Sequence, residues 1–259
     1  MQIHQLYTQS VLRNFTYLIQ LDDGSAIVID PWEDESVNQR LKERGLTLTA
    51  IINTHEHWDH TQGNEALIAK HGCQVWAHAN GEGKIPGLTR MLGANEIIDL
   101  EDDVQIKVLD TPVHTFAHLC FLLSEGGIAQ AVFTGDTLFN AGVGNCGNGG
   151  DAAVLYRTIS EQFYTLDDSV VVYPGHEYLE NNLRFTLSLE PENIDAQDWL
   201  AKAIQADPVT APLNTTVGDE RKFNTFFRLG KKTIRNAVDC HDSADKDVFV
   251  ALRSRRDNW

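Results

Sequence analysis

The chain has 259 residues, 42% of them hydrophobic, and a formal net charge of −16. That length exceeds a typical domain of about 100 to 200 residues and can bury a full core unaided, the acidic balance repels polynucleotide phosphate, and no run approaches the roughly 18 apolar residues of a membrane span. Four cysteines, at 73, 120, 146 and 240, show no C-x-x-C spacing, so neither a disulfide framework nor a zinc ribbon is expected; the expectation is a cytoplasmic protein that engages no nucleic acid and no membrane.

Met1 to Ser10 alternates polar and apolar residues and lacks the basic head and apolar run of an export signal. Tyr17–Ile19 and Ala26–Ile29 flank Asp22-Asp23-Gly24 and read as two strands joined by a tight turn. Asp34 to Arg44, with Val37 and Leu41 four apart and Gly45 following, reads as a capped helix. Thr47 to Asn53 is then a buried strand, Asn64 to Lys70 a helix ending at Gly72, and Gln74 to Ala77 a strand. Val104, Ile106 and Val108 alternate strictly with polar neighbours, the mark of a sheet with one polar face, and Leu119–Leu123 and Ala131–Phe133 continue the strands. Leu155, Ile159 and Phe163 set a helix over Ala152–Phe163, and Val170–Val172 forms another strand. After Gly175 the strand signals stop: Glu177–Leu189, Gln197–Ala206 and Val248–Arg255 read as helices, punctuated by Pro191, Pro208 and Pro212. The pattern predicts a layered α/β body followed by an α-helical addition.

Charge divides along the same line. From Arg221 to Trp259 ten Lys or Arg accompany five Asp or Glu, while the first 220 residues hold eleven bases and thirty-two acids, so the tail is near +5 and the body near −21. A small anion held by tail arginines fits this division, and so does a basic helix that docks on an acidic body.

The densest chemistry lies in Thr54-His55-Glu56-His57-Trp58-Asp59-His60, directly after the apolar Ala50-Ile51-Ile52. Alternate side chains of an extended segment share a face, which lets His55, His57 and Asp59 converge, and a turn beginning near Asp59 would bring His60 to the same pocket. Imidazole nitrogen and carboxylate oxygen suit zinc, iron(II) or manganese, and no cysteine stands among them to force a thiolate site. The plain alternative is a surface loop that happens to be rich in histidine. Three further segments set a lone His or Asp where a strand meets a Gly or Pro turn: Thr111-Pro112-Val113-His114-Thr115, Phe133-Thr134-Gly135-Asp136-Thr137 and Tyr173-Pro174-Gly175-His176-Glu177. Together these make five histidines and two aspartates, enough for two metals with one carboxylate shared.

These residues resemble the metallo-β-lactamase superfamily. More narrowly, Gly135-Asp136-Thr137-Leu138-Phe139, Gly175-His176-Glu177-Tyr178, Asn182-Leu183-Arg184-Phe185 and Leu252-Arg253-Ser254-Arg255-Arg256-Asp257 resemble the glyoxalase II, or hydroxyacylglutathione hydrolase, family over nearly the whole chain. The resemblance implies an α/β fold, a four-layer αββα metallo-β-lactamase sandwich over residues 1–175 that carries catalysis, with a C-terminal α-helical substrate-binding domain over 176–259. It implies two divalent metal ions, zinc first, with iron or manganese as alternatives. One ion would take His55, His57 and His114, the other Asp59, His60 and His176, with Asp136 bridging; Asp59 and Asp136 are the catalytic carboxylates. The implied reaction is hydrolysis of a small-molecule glutathione thioester, S-(2-hydroxyacyl)glutathione such as S-D-lactoylglutathione, to a 2-hydroxy acid and glutathione, by a monomer or alternatively a dimer.

Tyr178, Arg253 and Arg256 match the family's substrate contacts. The loop Gly142–Gly149 departs from it, with Asn145 where a base and Gly147 where an aromatic would stand, which implies a weaker grip on glutathione or another thiol carrier. A glutathione-persulfide sulfur dioxygenase with one iron on two histidines and one aspartate is the nearest rival; a β-lactamase, another hydrolase of this fold and a non-catalytic metal-binding protein are the others. His118 is expected in the core or behind the ligands. Asp30 reads either as an acceptor for a ligating imidazole or as a turn former. His4, His71, His78 and His241 read as ordinary, Cys146 as inert, and Glu56 and Trp58 as outer wall.

Overall fold

The turn at Asp22-Asp23-Gly24 forms because Gly24 takes φ +85° and the Asp23 carboxylate accepts the Ser25 amide at 2.7 Å. The structure, a computed structural model, describes residues 1–147 and 149–259; Asn148, in the glycine-rich loop, lies outside them. Strands β1 (Gln2–Tyr7), β2 (Phe15–Gln20), β3 (Ser25–Ile29), β4 (Thr47–Ile52), β5 (Gln74–His78) and β6 (Leu88–Leu92) form one sheet in that order. It is antiparallel through β3 and parallel beyond. Strands β7 (Ile97–Glu101), β8 (Val104–Asp110), β9 (Leu119–Glu125) and β10 (Ile128–Gly135) are followed by a small hairpin of β11 (Leu138–Phe139) and β12 (Gly142–Val143) and then by β13 (Val171–Pro174). The second sheet runs β13-β10-β9-β8-β7. Strands β1, β6 and β7 and the β11–β12 hairpin go beyond the sequence expectation.

Side-chain alternation decides what each face buries. Tyr17, Ile19, Ile27, Ile29 and Ile52 of the first sheet meet Val104, Ile106, Val108, Phe121 and Phe133 of the second in the central core. The opposite face of the first sheet, through Leu18, Val28, Ile51 and Val75, packs on Val37 and Leu41 of α1 (Asp34–Arg44) and, beyond the single turn α2 (Trp58–Thr61), on Leu67 of α3 (Asn64–His71). Gly45 closes α1 at φ +66°, as its position predicts. On the outer face of the second sheet Leu109, Cys120, Val132 and Val172 pack on Leu155 of α4 (Ala152–Thr158) and on Ile159 and Phe163, which continue α4 as a π turn. These are the four layers of an αββα sandwich.

Beyond β13 the regular elements are helices: α5 (Leu179–Leu189), α6 (Ile194–Gln205), α7 (Val217–Phe223), α8 (Lys232–Ala237) and α9 (Asp245–Asp257). Helix α6 starts earlier than the expected Gln197 because the Asn193 side chain caps it, accepting the Ala196 amide at 3.1 Å. Phe185, Leu189, Val217, Val248, Phe249 and Leu252 join the same cluster as α4, so the helical segment completes the fourth layer instead of standing apart.

One titratable group lies at this junction. Glu220 of α7 is fully buried and accepts from the Ala141 amide, the Thr215 hydroxyl at 2.5 Å and the Asn224 side chain at 2.6 Å. Burial pushes its carboxyl up to about 7 despite those donors. The folded state therefore holds a proton that the unfolded chain releases near the ordinary 4.5. This contribution is fully present below that value and is lost as pH rises toward 7. Comparing denaturant unfolding of wild type and Glu220→Gln at pH 5 and pH 8 should show the wild type losing roughly 3 kcal/mol more across that interval.

Candidate metal centre

All four donor segments leave the carboxyl ends of strands, β4, β8, β10 and β13, at one edge of the sandwich. After β4 the chain is stapled: the Asn53 amide reaches the Trp76 carbonyl, its side chain donates to the His60 carbonyl at 2.8 Å, and Asn64 donates to the Asn53 side chain at 2.8 Å. The segment 54–56 bends across the end of β4, His57 is extended, and α2 then turns Asp59 and His60 inward.

The seven expected donors converge. Donor atoms of His55, His57 and His114 lie within 4.8 Å of one another, as do those of Asp59, His60 and His176, and those of His55, His60 and Asp136. His57 Nδ1 stands 3.0 Å from His55 Nε2 and 3.1 Å from His114 Nε2. Asp136 faces both groups: its Oδ2 is 3.5 Å from His114 Nε2, and its Oδ1 is 3.4 Å from His60 Nε2 and 3.2 Å from His176 Nε2. Ligands about 2.0 to 2.1 Å from a common tetrahedral cation sit about 3.3 Å apart, which matches these spacings.

Four of the five imidazoles are oriented through their outer nitrogen. Nδ1 of His55 meets Thr54 Oγ1 at 3.0 Å, His60 meets Asp30 Oδ2 at 2.9 Å, His114 meets the Asn145 carbonyl at 3.0 Å, and His176 meets the Leu12 carbonyl at 2.8 Å. Carbonyl and carboxylate acceptors demand Nδ1–H, which leaves Nε2 as the inward-facing nitrogen. Asp30 also takes the amide and hydroxyl of Thr54, at 2.7 and 2.6 Å, so one carboxylate fixes two neighbours of the cluster.

The electrostatics call for positive charge at the centre. Burial, then His60, pushes His55 well below the ordinary imidazole range, and burial, then His114, lowers His57. Burial opposes charge on His60, yet Asp30 and Asp136 hold it well above that range. Burial likewise opposes ionisation of Asp136, but His176 and His60 hold it well below the usual carboxylate range. His60 Nε2 and Asp136 Oδ1 are buried without a hydrogen-bond partner and face the same point. Such orphaned atoms are costly unless a cation satisfies them; the donor set fits divalent metal.

The neighbouring residues divide by role. His118 is fully buried, its Nε2 accepting the Asp136 amide at 3.0 Å, so it braces a donor from behind. His4, His71, His78 and His241 bond to Gln20, Asn38, the Asn80 amide and Asn236, away from the cluster. Glu56 joins Thr115 and Lys84, and exposed Trp58 lies against Trp32. Burial pushes the Cys146 thiol up to about 11. Tyr178 stacks on His176 with ring centroids 5.0 Å apart, and Arg256 lies against the Phe185 and Trp259 rings, themselves in edge-to-face contact, with Nη2 3.3 Å from Asn182 Oδ1. Asn145 is exposed, and it is its carbonyl, not its side chain, that reaches His114. Arg253 departs from the expectation of a substrate contact: it is buried, and each guanidinium nitrogen already donates within the protein, to Val143, Gly144 and Asp257. Asn14, absent from the sequence reading, donates to Asp59 Oδ2 at 2.9 Å. It gives no local signal, since its partner is forty-five residues away.

The chain is similar to known proteins over its whole length. The model of the metallo-beta-lactamase superfamily matches residues 10–176, and that of the hydroxyacylglutathione hydrolase C-terminus matches residues 177–259. The hydroxyacylglutathione hydrolases of Polaromonas sp. and Nitrosococcus oceani are 42% and 43% identical to the chain, each alignment covering 100% of both sequences. Among solved structures, ETHE1 from Myxococcus xanthus aligns with a TM-score of 0.70 at 24% identity, over 99% of this chain and 91% of that one.

Gly175 tests how tightly the centre is built. A Cβ there would stand 2.6 Å from Asp136 Oδ1 and 2.8 Å from His60 Cε1. Gly175→Ala should therefore lower the bound divalent metal, measured by elemental analysis, by about one equivalent relative to wild type while circular dichroism stays native.

Proposed function

We infer that this chain, which belongs to the hydroxyacylglutathione hydrolase family within the metallo-β-lactamase superfamily, is a metal-dependent thioester hydrolase cleaving S-(2-hydroxyacyl)glutathione, such as S-D-lactoylglutathione, to a 2-hydroxy acid and glutathione. The observation that carries this reading is the pair of donor triplets joined through the two oxygens of Asp136. His55, His57 and His114 would hold one divalent ion, Asp59, His60 and His176 the other, and Asp136 would touch both. Zinc suits these nitrogen and oxygen donors first, and iron or manganese fits them as well. When bound, such ions supply Lewis-acid polarisation of a carbonyl and bring the pKa of water toward neutrality.

The chain's own groups supply the rest. Burial opposes ionisation of Asp59, but His60 and the Asn14 amide hold its carboxyl at about 2, so it stays an acceptor that orients the attacking water throughout the physiological range. Tyr178, flat against His176, forms one wall for the thioester. Arg256, beyond it in the helical domain of residues 176–259, pairs with a carboxylate of the thiol carrier. The exposed Asn145 at the rim contributes a neutral contact where a charged one would bind more tightly. A one-iron chemistry on three ligands would leave four of the seven converging donors without use, which favours hydrolysis. Among the described residues no helix is long and apolar enough to cross a membrane, and the cysteines are free thiols. The reading carries with it a cytoplasmic enzyme that is a monomer or alternatively a dimer.

Elemental analysis coupled to thioester hydrolysis with S-D-lactoylglutathione tests the reading. Two equivalents of metal and saturable hydrolysis are expected, and oxygen uptake with glutathione persulfide in place of hydrolysis would overturn it. Asp136→Ala should lose at least one equivalent of metal together with about 100-fold or more of the activity. Arg256→Met should raise KM several-fold with kcat little changed, because a remote group is bound alike in ground and transition states.

A further inference from the structure

The backbone of residues 140–144 is gripped at every residue by side chains of the helical segment, and we infer that this grip, with Arg253 as its main positioning residue, sets the geometry of the metal centre. Asn182 donates to the Asn140 carbonyl at 2.9 Å, Glu220 accepts the Ala141 amide, and Asn224 donates to the Gly142 carbonyl at 3.2 Å. Arg253 Nη1 donates to the Val143 and Gly144 carbonyls at 2.8 and 3.1 Å. Its Nε and Nη2 both donate to Asp257 Oδ1, at 3.1 and 2.7 Å, which locks the planar fork in one orientation.

The gripped stretch joins two of the proposed ligands. At Gly144 the chain folds back on Asp136: the Gly144 amide donates to the Thr137 carbonyl at 3.1 Å, and a Cβ at Gly144 would collide with the Asp136 carbonyl oxygen. One residue on, the Asn145 carbonyl accepts Nδ1–H of His114. A displacement of Gly144 therefore carries both the bridging carboxylate and a histidine of the first triplet. Ala141 sits at φ +61°, a left-handed conformation that an L residue holds only under restraint, and Glu220 supplies that restraint. The helical segment thus acts on the metals through the loop, whichever thioester is bound; the part of the inference that concerns turnover rests on the function proposed above.

Zinc retention against a competing chelator and the visible spectrum of the cobalt(II)-loaded protein read ligand geometry independently of activity. Arg253→Met should weaken zinc retention by about 10-fold or more, shift the cobalt bands and lower kcat, and Arg253→Lys should recover part of each. Arg256→Met should leave retention and spectrum unchanged while it raises KM. If Arg253→Met keeps wild-type zinc retention and cobalt bands and only KM rises, Arg253 contacts substrate and the inference is overturned, with the proposed hydrolysis intact. If the metal effects appear but the wild type hydrolyses no glutathione thioester, the proposed function fails and the grip stands. Should Arg253→Met not fold, Asn224→Ala decides by the same two readouts: altered retention and bands support the grip, and unchanged ones overturn it.

Discussion

Seven donors with inward lone pairs cannot share one buried space without positive charge among them, and much of this fold serves to keep them there. The conflict is visible at His57 Nδ1, which has an imidazole nitrogen at 3.0 Å on one side and another at 3.1 Å on the other. At most one of these contacts can be an ordinary donor–acceptor pair. The second group shows the same tension in carboxylates, with Asp59 and Asp136 both crowding the edge nitrogens of His60 and His176. Low dielectric makes both arrangements expensive as bare side chains and strongly attractive to a cation.

The restraints that hold this arrangement come from far along the chain. Asp30 ends β3 in the left-handed region at φ +50°, where a non-glycine residue is strained, and from there reaches His60 and both polar groups of Thr54. Asn14 and the Leu12 carbonyl arrive from the connection between β1 and β2 to fix Asp59 and His176. Gly175 lets the end of β13 pass close to Asp136, and the Gly135 carbonyl accepts its amide at 2.8 Å. Strain at Asp30, of order 1 kcal/mol, is tolerable because three charge-assisted hydrogen bonds of its own carboxylate compensate it.

Legibility in the sequence followed how local each signal was. The donor motif could be read because its spacing, the preceding apolar strand and the Gly or Pro turns all lie within a few residues, and the turn at Gly24 and the end of α1 at Gly45 were plain for the same reason. Strand β6, Leu-Thr-Arg-Met-Leu, is half-exposed at a sheet edge and pairs only with β5, so its sequence shows little alternation. Helix α6 begins ahead of its apolar pattern because the Asn193 side chain caps it, and a cap is set by the fold of one turn more than by periodicity. Asn14 and the carbonyls of Leu12 and Asn145 could not be read at all, since a main-chain acceptor has no identity in sequence and each partner is thirty-one or more residues away. Arg253 is illegible for a related reason: a family motif specifies a guanidinium, while only the fold shows that Val143, Gly144 and Asp257 occupy it.

The charge division along the chain takes on a different meaning once these contacts are known. An excess of bases in the tail suggests a field that draws in an anion, yet most of the tail arginines are neutralised or occupied locally. Arg221 pairs with Asp168, Arg228 with Glu190, Arg235 with Asp245 and Arg253 with Asp257, while Arg255 donates to the Ala237 carbonyl. The Arg228 pair is largely buried, so it orders the helices more than it projects charge. Arg256 differs: it lies against the Phe185 and Trp259 rings and its hydrogen bond goes to a neutral amide. Held by rings and not by a carboxylate, its charge remains available to an incoming anion in a site of reduced dielectric, where it counts for more than a diffuse surface excess. Under the proposed hydrolase function, recognition of the carrier would rest on where this one cation is placed, and the net charge of the tail is mostly the consequence of building the helices that place it.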